Sequence, residues 1–217
     1  MGNVDSLDLF GPNELVIFAF YYHNRTRYRR ALDIGANLGL HTILMRRLGW
    51  EVWSYEPDPF HYWKARERVD ANCKSVNGQV LNFAVSDVAG PVEFVRVLGN
   101  TTGSHIAGCK IPYGDTEKFV VQCVKAEPIF REVDFAKIDA EGNEAKIICS
   151  VPHETFPDAI VEVGSPDNAL KIFDHLFKKK RMWSQKIGWK EVLRLEDMPI
   201  HHKEGSLFIG NEEPWRS

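Results

Sequence analysis

Apolar and polar positions along the chain follow two periods, about 3.6 residues and about 2, and the switches between them mark out the elements. An apolar run, "LVIFAFYY" (15–22), lies within a helix expected over 12–23. Strand "RALDI" (30–34), a helix over 39–48 and strand "EVWSYE" (51–56) follow. After Asp58-Pro59 a charged helix runs to Asn72, with proline at its start, where the missing N–H is harmless. Strand "QVLNFAV" (79–85) is then followed by a break in the alternation. "VEFVRV" (92–97) and "FVVQCV" (119–124) alternate at period two, separated by a loop rich in Gly, Thr and Ser (99–116). A short helix near Pro128, strand "VDFAKID" (133–139), helix "NEAKIICSV" (143–151), strand "AIVEV" (159–163) and a helix over 167–180 complete the series. The tail segments "KEVLRL" (190–195) and "GSLFIG" (205–210) read as a closing pair of strands. This order predicts an α/β fold, a doubly wound, mostly parallel sheet with an antiparallel edge strand.

Nothing in the composition divides the 217 residues, so a single domain over 1–217 is expected. A net charge of −3 offers no footprint for nucleic acid. No membrane partner is expected either, since "LVIFAFYY" is far below the roughly 20 apolar residues that span a bilayer. Asp5, Asp8 and Glu14 stand where a secretory signal would be cationic and apolar. Cys73, Cys109, Cys123 and Cys149 are scattered with no C-x-x-C pair. They are expected as small buried residues in a reducing, cytoplasmic setting.

The stretch "ALDIGANLG" (31–39) ends a strand on a carboxylate and turns through glycine into a helix. In such sheets ligands bind at the carboxyl ends of the strands. A dinucleotide fingerprint wants G-x-G-x-x-G, but Asn37 stands at its middle glycine, which disfavours close approach of a pyrophosphate. Asp33 suits a ligand with positive charge. Glu56 ends the second strand, 21 positions after Gly35, where a carboxylate accepts hydrogen bonds from a ribose. Together these point to S-adenosylmethionine. The bland alternative is a tight turn with Asp33 capping the next helix and Glu56 at the surface.

"DIGANLGLHT", "YEPDP", "NFAVSDVAG" and "KIDAEGNEAKI", in this order, resemble the FkbM family of S-adenosylmethionine-dependent O-methyltransferases over residues 30 to 165. The resemblance implies a Rossmann-like class I methyltransferase fold acting on hydroxyls, often of sugars, so a carbohydrate or glycan acceptor is expected. It places Asp33, Gly35, Ala36, Asn37 and Gly39 at the methionine end of the cofactor, with His41 and Thr42 on the following turn. Glu56 would hold the ribose, and Asn82 and Ala84 would flank the adenine.

A sugar hydroxyl is barely acidic, so its proton needs a base or a metal. In "KIDAEG", Lys137, Asp139 and Glu141 alternate, and an extended backbone would point all three the same way. Asp139 is the leading catalytic candidate, with Lys137 and Glu141 beside it. Lys137 and Asp139 as a plain structural ion pair is the alternative. Glu162 ends the neighbouring strand. With Asp139, and with Asp167 or Asn168 as a third oxygen donor, it could hold Mg²⁺ or Mn²⁺, although the FkbM resemblance requires no metal. In "NTTGSHIAG" (100–108), Ser104 and His105 could enter the site from a mobile loop, with His105 as a substitute base. His201-His202 reads as exposed polar surface, and "KKKR" (178–181) as the cationic end of a helix. Trp50, Trp53 and Trp63 read as core or cofactor-flanking rings, and Trp183 and Trp189 as core. Two other functions remain open: an NAD-dependent sugar dehydrogenase or epimerase, against which the missing glycine argues, and a catalytically silent nucleotide-binding module, which has no need of the "KIDAEG" acids.

Overall fold

The central strand β1 (Arg30–Ile34) is buried on both faces, which is why it reads as an almost unbroken apolar run. Its alternation sends Leu32 and Ile34 into one core and Ala31 into a second on the opposite face. The computed structural model describes residues 11–73, 77–99, 103–111 and 114–216; Asp5, Asp8 and positions 100–102 of the loop lie outside them. β1 is flanked in parallel by β2 (Glu51–Tyr55) and β8 (Phe135–Ile138), and the sheet extends to β3 (Val80–Leu81) on one side and β9 (Asp158–Val161) on the other. Beyond β9, β12 (Leu207–Gly210), β10 (Arg181–Ser184) and β11 (Lys190–Glu191) add on antiparallel. The order β11-β10-β12-β9-β8-β1-β2-β3 is the Rossmann-like arrangement expected of a class I methyltransferase, with the expected antiparallel edge.

Helices α1 (Pro12–His23) and α2 (Leu40–Arg47) cover one face, burying Phe20, Tyr21 and Met45 against Trp50, Phe135 and Phe208. On the other face α4 (Ala126–Phe130), α5 (Glu144–Cys149) and α6 (Pro166–Leu176) close the larger core. Helix α3 (Pro59–Asn72) starts at Asp58, whose Oδ1 accepts the amides of Phe60 at 2.8 Å and His61 at 3.4 Å. Such a cap contributes about 1 kcal/mol.

Several expectations are corrected. The strand read over 79–85 is two: β3 stays in the main sheet, and β4 (Ala84–Ser86) joins a second sheet of order β4-β7-β5-β6. The break comes where the Asn82 side chain donates to the carbonyls of Glu56 (2.9 Å) and Pro57 (3.0 Å). The second sheet contains β5 (Gly90–Val97) and β7 (Thr116–Lys125), the two alternating segments, with β6 (His105–Ile106) at its edge. The tail strands do not pair with each other, because β10 lies between them. The "KKKR" run does not end a helix either. α6 stops at Leu176, whose carbonyl accepts the amides of Lys179 (2.8 Å) and Lys180 (2.9 Å). Lys178 takes a left-handed φ of 63°, and Arg181 opens β10. All four cysteines are free thiols, but only Cys123 is buried; Cys149 is exposed. Trp50 and Trp183 are core and Trp53 packs partly buried against it, whereas Trp63 is exposed. Among the described residues no helix is long and apolar enough to cross a membrane.

Candidate active site

The strand register sets Ser54, Asp33 and Lys137 in one row across β2, β1 and β8. They sit at the carboxyl ends, on the face where Val52, Ala31 and Phe135 are apolar two residues earlier. Thr42 of α2 donates its hydroxyl proton to Asp33 Oδ2 at 2.6 Å, so Ser54 is the donor in the 2.7 Å contact between the two hydroxyls. Lys137 Nζ donates to the Gly35 carbonyl and to Asp139 Oδ2, both at 3.2 Å, and lies 3.8 Å from Asp33 Oδ1. Burial acts against the ammonium, but Asp139 and Asp33 outweigh it and raise the Lys137 pKa. Burial also raises Asp33, opposed by Lys137 and Thr42. These residues form a buried charged layer beneath the glycine turn.

Above this layer lies a cavity open at its mouth. Gly35, Asn37, Glu56, Asp139, Ala140 and Glu141 all line it. Tyr55, Phe83 and Phe94 make it apolar between them. Gly35 has φ 75°, and a Cβ there would fall 1.8 Å from the Asp139 carbonyl oxygen. Only glycine fits the meeting of these two turns. Glu56, 5% exposed, accepts the amides of Asn37 (2.7 Å) and Asp58 (2.9 Å). Burial pushes its carboxyl up to about 7 against those hydrogen bonds.

The turn after β8 departs from the extended backbone expected for it. β8 ends at Ile138, and Glu141 adopts a left-handed φ of 49°. Lys137 and Asp139 do face one another, but Glu141 instead bonds Lys110 at 2.6 Å across the turn. Glu144, 1% exposed, explains the bend: its Oε1 accepts the amides of Ala140 (2.8 Å) and Gly142 (3.1 Å). Burial pushes Glu144 up, opposed by the amide hydrogen bonds, which favour its ionised form. Glu162, bonded through its amide to the Ile138 carbonyl at 2.9 Å, is pushed up to about 9 by the charge of Asp139 and by burial.

An FkbM methyltransferase domain profile matches residues 33–183. The chain belongs to the FkbM methyltransferase family. Among solved structures, similarity extends to the precorrin-6y C5,15-methyltransferase of Geobacter metallireducens GS-15, at 12% identity and TM-score 0.45 over 89% of this chain and 85% of that one. An O-methyltransferase of Bacillus cereus in complex with SAH matches at 11% identity and TM-score 0.44, over 92% and 80% of the two chains. The O-methyltransferase TomG of Streptomyces achromogenes matches at 10% identity and TM-score 0.43, over 88% and 77%. A search of curated proteins found no match.

In this FkbM methyltransferase, the residues expected at the cofactor divide into two groups. Gly35, Asn37, Glu56 and Ala84 line the cavity, as do Asp139, Glu141 and Ser104. The others support it from behind. Asp33 and Thr42 lie in the charged layer, and the Ala36 amide bonds the Tyr55 carbonyl at 3.1 Å. Gly39 lets α2 approach α3, since its Cβ would lie within 3.3 Å of Ala65 and Val69. His41 pairs through Nδ1 with the Tyr21 hydroxyl of α1 at 3.0 Å, and burial, aided by Lys137, pushes its pKa well down. Asn82 braces the chain after β2. His105 is buried in β6, its Nδ1 on the Gly103 carbonyl at 2.9 Å, and it is not among the residues that line the cavity. Sequence reasoning missed His61 and Phe83 on the cavity wall, and Glu144 and Asp58 behind it. Of these only Asp58, as a helix cap before proline, left a signal.

The residues fit the expected cofactor. Glu56 offers its remaining lone pairs to a ribose diol, and the buried Asn37 Oδ1 has no partner in the protein. They do not fit the expected metal. Asp167 is exposed and bonds Lys171 at 2.7 Å, while Asn168 gives its amide to Glu144 at 2.5 Å, so neither supplies a third oxygen beside Asp139 and Glu162. Among the described residues no group of three or more His, Cys, Asp or Glu side chains is arranged to hold a metal ion.

Glu56→Ala is expected to weaken S-adenosylmethionine binding by about 1–3 kcal/mol, the effect of losing hydrogen bonds to a charged group. Ribose hydroxyls favour the ionised carboxylate, so binding lowers a pKa that stands at about 7 and releases a proton. Affinity should therefore climb as pH rises towards about 7 and level off above it. Calorimetry in buffers of different ionisation enthalpy reads the proton, and Glu56→Gln should abolish its release. A wild-type titration with no proton release would contradict the assignment.

Proposed function

We propose that this FkbM methyltransferase is S-adenosylmethionine-dependent and methylates a hydroxyl of a sugar or glycan. One observation carries the reading: a single cavity is lined both by the Gly35–Asn37 turn and Glu56, suited to a nucleoside sulfonium, and by Asp139. Gly35, Asn37 and Glu56 would hold the cofactor, with Ala84 and Phe83 along its base. When bound, S-adenosylmethionine supplies an electrophilic methyl carbon, whose bond to sulfur breaks as the acceptor oxygen takes it.

Aligning acceptor and methyl is worth up to about 7–11 kcal/mol, so the walls of the cavity contribute most by positioning. Asp139 receives the hydroxyl proton. Lys137, bonded to both Asp139 and the Gly35 carbonyl, fixes that acid relative to the cofactor turn. Glu162, at the end of the neighbouring strand, is raised by the charge of Asp139 and by burial.

The test is transfer of a radiolabelled methyl group to a panel of glycans and free sugars, preceded by thermal shift with S-adenosylmethionine, S-adenosylhomocysteine and NAD. A shift with both adenosyl ligands and label on a saccharide support the reading. Stabilisation by NAD alone would support a dehydrogenase instead, and label on an amine or a nucleic acid would overturn the acceptor class.

A further inference from the structure

We infer that Glu144 is a positioning residue, which from outside the cavity fixes the turn carrying Asp139 and sets its place relative to Glu162. The inference rests on the methyltransferase reading above and extends it to a residue that touches neither cofactor nor acceptor.

The turn is one that the chain resists. Glu141 is left-handed without being glycine, a strained conformation for a residue with a side chain. Gly142, at φ 102°, presses against the Cys109 carbonyl so closely that a Cβ would lie 2.6 Å from its oxygen. A conformation of this kind persists only where its surroundings over-determine it. Glu144 supplies that determination. Its Oε1 gathers the amides of Ala140 and Gly142, which flank the left-handed residue, and its Oε2 takes a second share of Gly142 at 3.1 Å. The result presents Asp139, Ala140 and Glu141 together to the cavity.

The same carboxylate reaches the next strand. Oε2 also accepts from Asn168 Nδ2 at 2.5 Å, and Asn168 in turn donates to the Val163 carbonyl at 3.2 Å and accepts the Ala145 amide at 3.4 Å. Val163 follows Glu162 at the end of β9, so one hydrogen-bonded chain links the turn bearing Asp139 to the strand end bearing Glu162. Every donor around Glu144 is an N–H, so the site needs an acceptor on both oxygens. Glutamine would set its own NH₂ against one of them.

Glu144→Gln tests this with S-adenosylhomocysteine as the probe. The variant should keep its fold by circular dichroism, while the Ala140 and Gly142 amides exchange at least about tenfold faster and those of β8 and β9 do not. The affinity for S-adenosylhomocysteine should fall by about tenfold, or 1.4 kcal/mol. Faster exchange with unchanged affinity would reduce Glu144 to a structural filler, and unchanged exchange would show that it does not hold the turn. If wild type fails to bind S-adenosylhomocysteine, the methyltransferase reading falls, while the exchange rates still decide whether Glu144 fixes the turn. If Glu144→Gln does not fold, Asn168→Ala, which leaves Glu144 in place but removes the donor to its Oε2 together with the bonds to Val163 and Ala145, is measured with the same two readouts and judged by the same outcomes.

Discussion

Asp139→Asn is expected to slow methyl transfer by about 10²-fold or more while leaving S-adenosylmethionine affinity nearly unchanged. Asparagine keeps the shape of the side chain, and its carbonyl oxygen still accepts from Lys137 Nζ, so the Gly35 turn stays in place. What disappears is the group that takes the acceptor's proton. A second readout separates this from a general disturbance of the site. The charge of Asp139 is the largest cause holding Glu162 up at about 9, so in the variant Glu162 should titrate lower. Radiolabelled transfer, calorimetry and a carboxyl-resolved NMR titration read the three effects. Wild-type turnover in a folded Asp139→Asn protein would make the Lys137–Asp139 pair structural, the plainer of the two readings open to the sequence.

Arg96→Ala should destabilise the fold by about 3–5 kcal/mol, a large share of the roughly 5–15 kcal/mol by which domains are stable. The Arg96 guanidinium grips Asp58 with two bonds, Nε to Oδ2 at 2.6 Å and Nη2 to Oδ1 at 2.7 Å, and the Asp58 side chain is only 1% exposed. Burial would raise Asp58, but Arg96 overrides it and holds the carboxyl below its usual range. A depressed carboxylate stabilises the fold above its unfolded pKa of about 3.9, and this is lost as pH falls through the folded value. At neutral pH the full contribution is therefore present, and removing the guanidinium leaves a buried charge unpaired. Arg181 and Glu191 make an equally good bidentate pair at 2.9 and 2.8 Å, yet their side chains are 52% and 37% exposed. Arg181→Ala should lose less than about 1 kcal/mol. Urea unfolding of both variants at neutral pH tests the contrast, and equal losses would show that burial does not set the value of the pair.

The parallel sheet and the cofactor wall were legible in the chain because they depend on local rules. Gly35 and Glu56 sit at strand ends that periodicity locates, and both line the cavity. The second sheet was legible only as two alternating segments. The break at Asn82 comes from a side chain bonding two carbonyls in its own neighbourhood, and no period records it. Glu141 misled for a related reason. Alternation assumes an extended backbone, and the carboxylate that bends it sits three residues on, at what reads as an ordinary helix start. Asp33, Gly39 and Thr42, expected at the methionine end of the cofactor, sit near the turn but do not line the cavity. Their roles are one layer deeper, because burial is decided by partners from α3 and β8 that a linear motif does not name. Asp167 failed as a ligand for the simplest reason, a lysine one helical turn away.

The place of the second sheet in the chain has a consequence for how the protein folds. β1 pairs with β2, close in sequence, but its other neighbour arrives late: the Arg30 amide and the Asp134 carboxylate that joins it, at 3.0 Å, are 104 residues apart. Closing so long a segment as free coil delays the contact on which both cores depend. β5 and β7 pair antiparallel along their lengths, from Gly90 opposite Cys123 to Val97 opposite Thr116, and can form before either end of the main sheet meets. Once paired, they shorten the coil that separates β1 from β8. The insertion that walls the cavity then also acts as a clasp during assembly, and weakening it should slow refolding more than it hastens unfolding, a distinction that the two limbs of a chevron display separately.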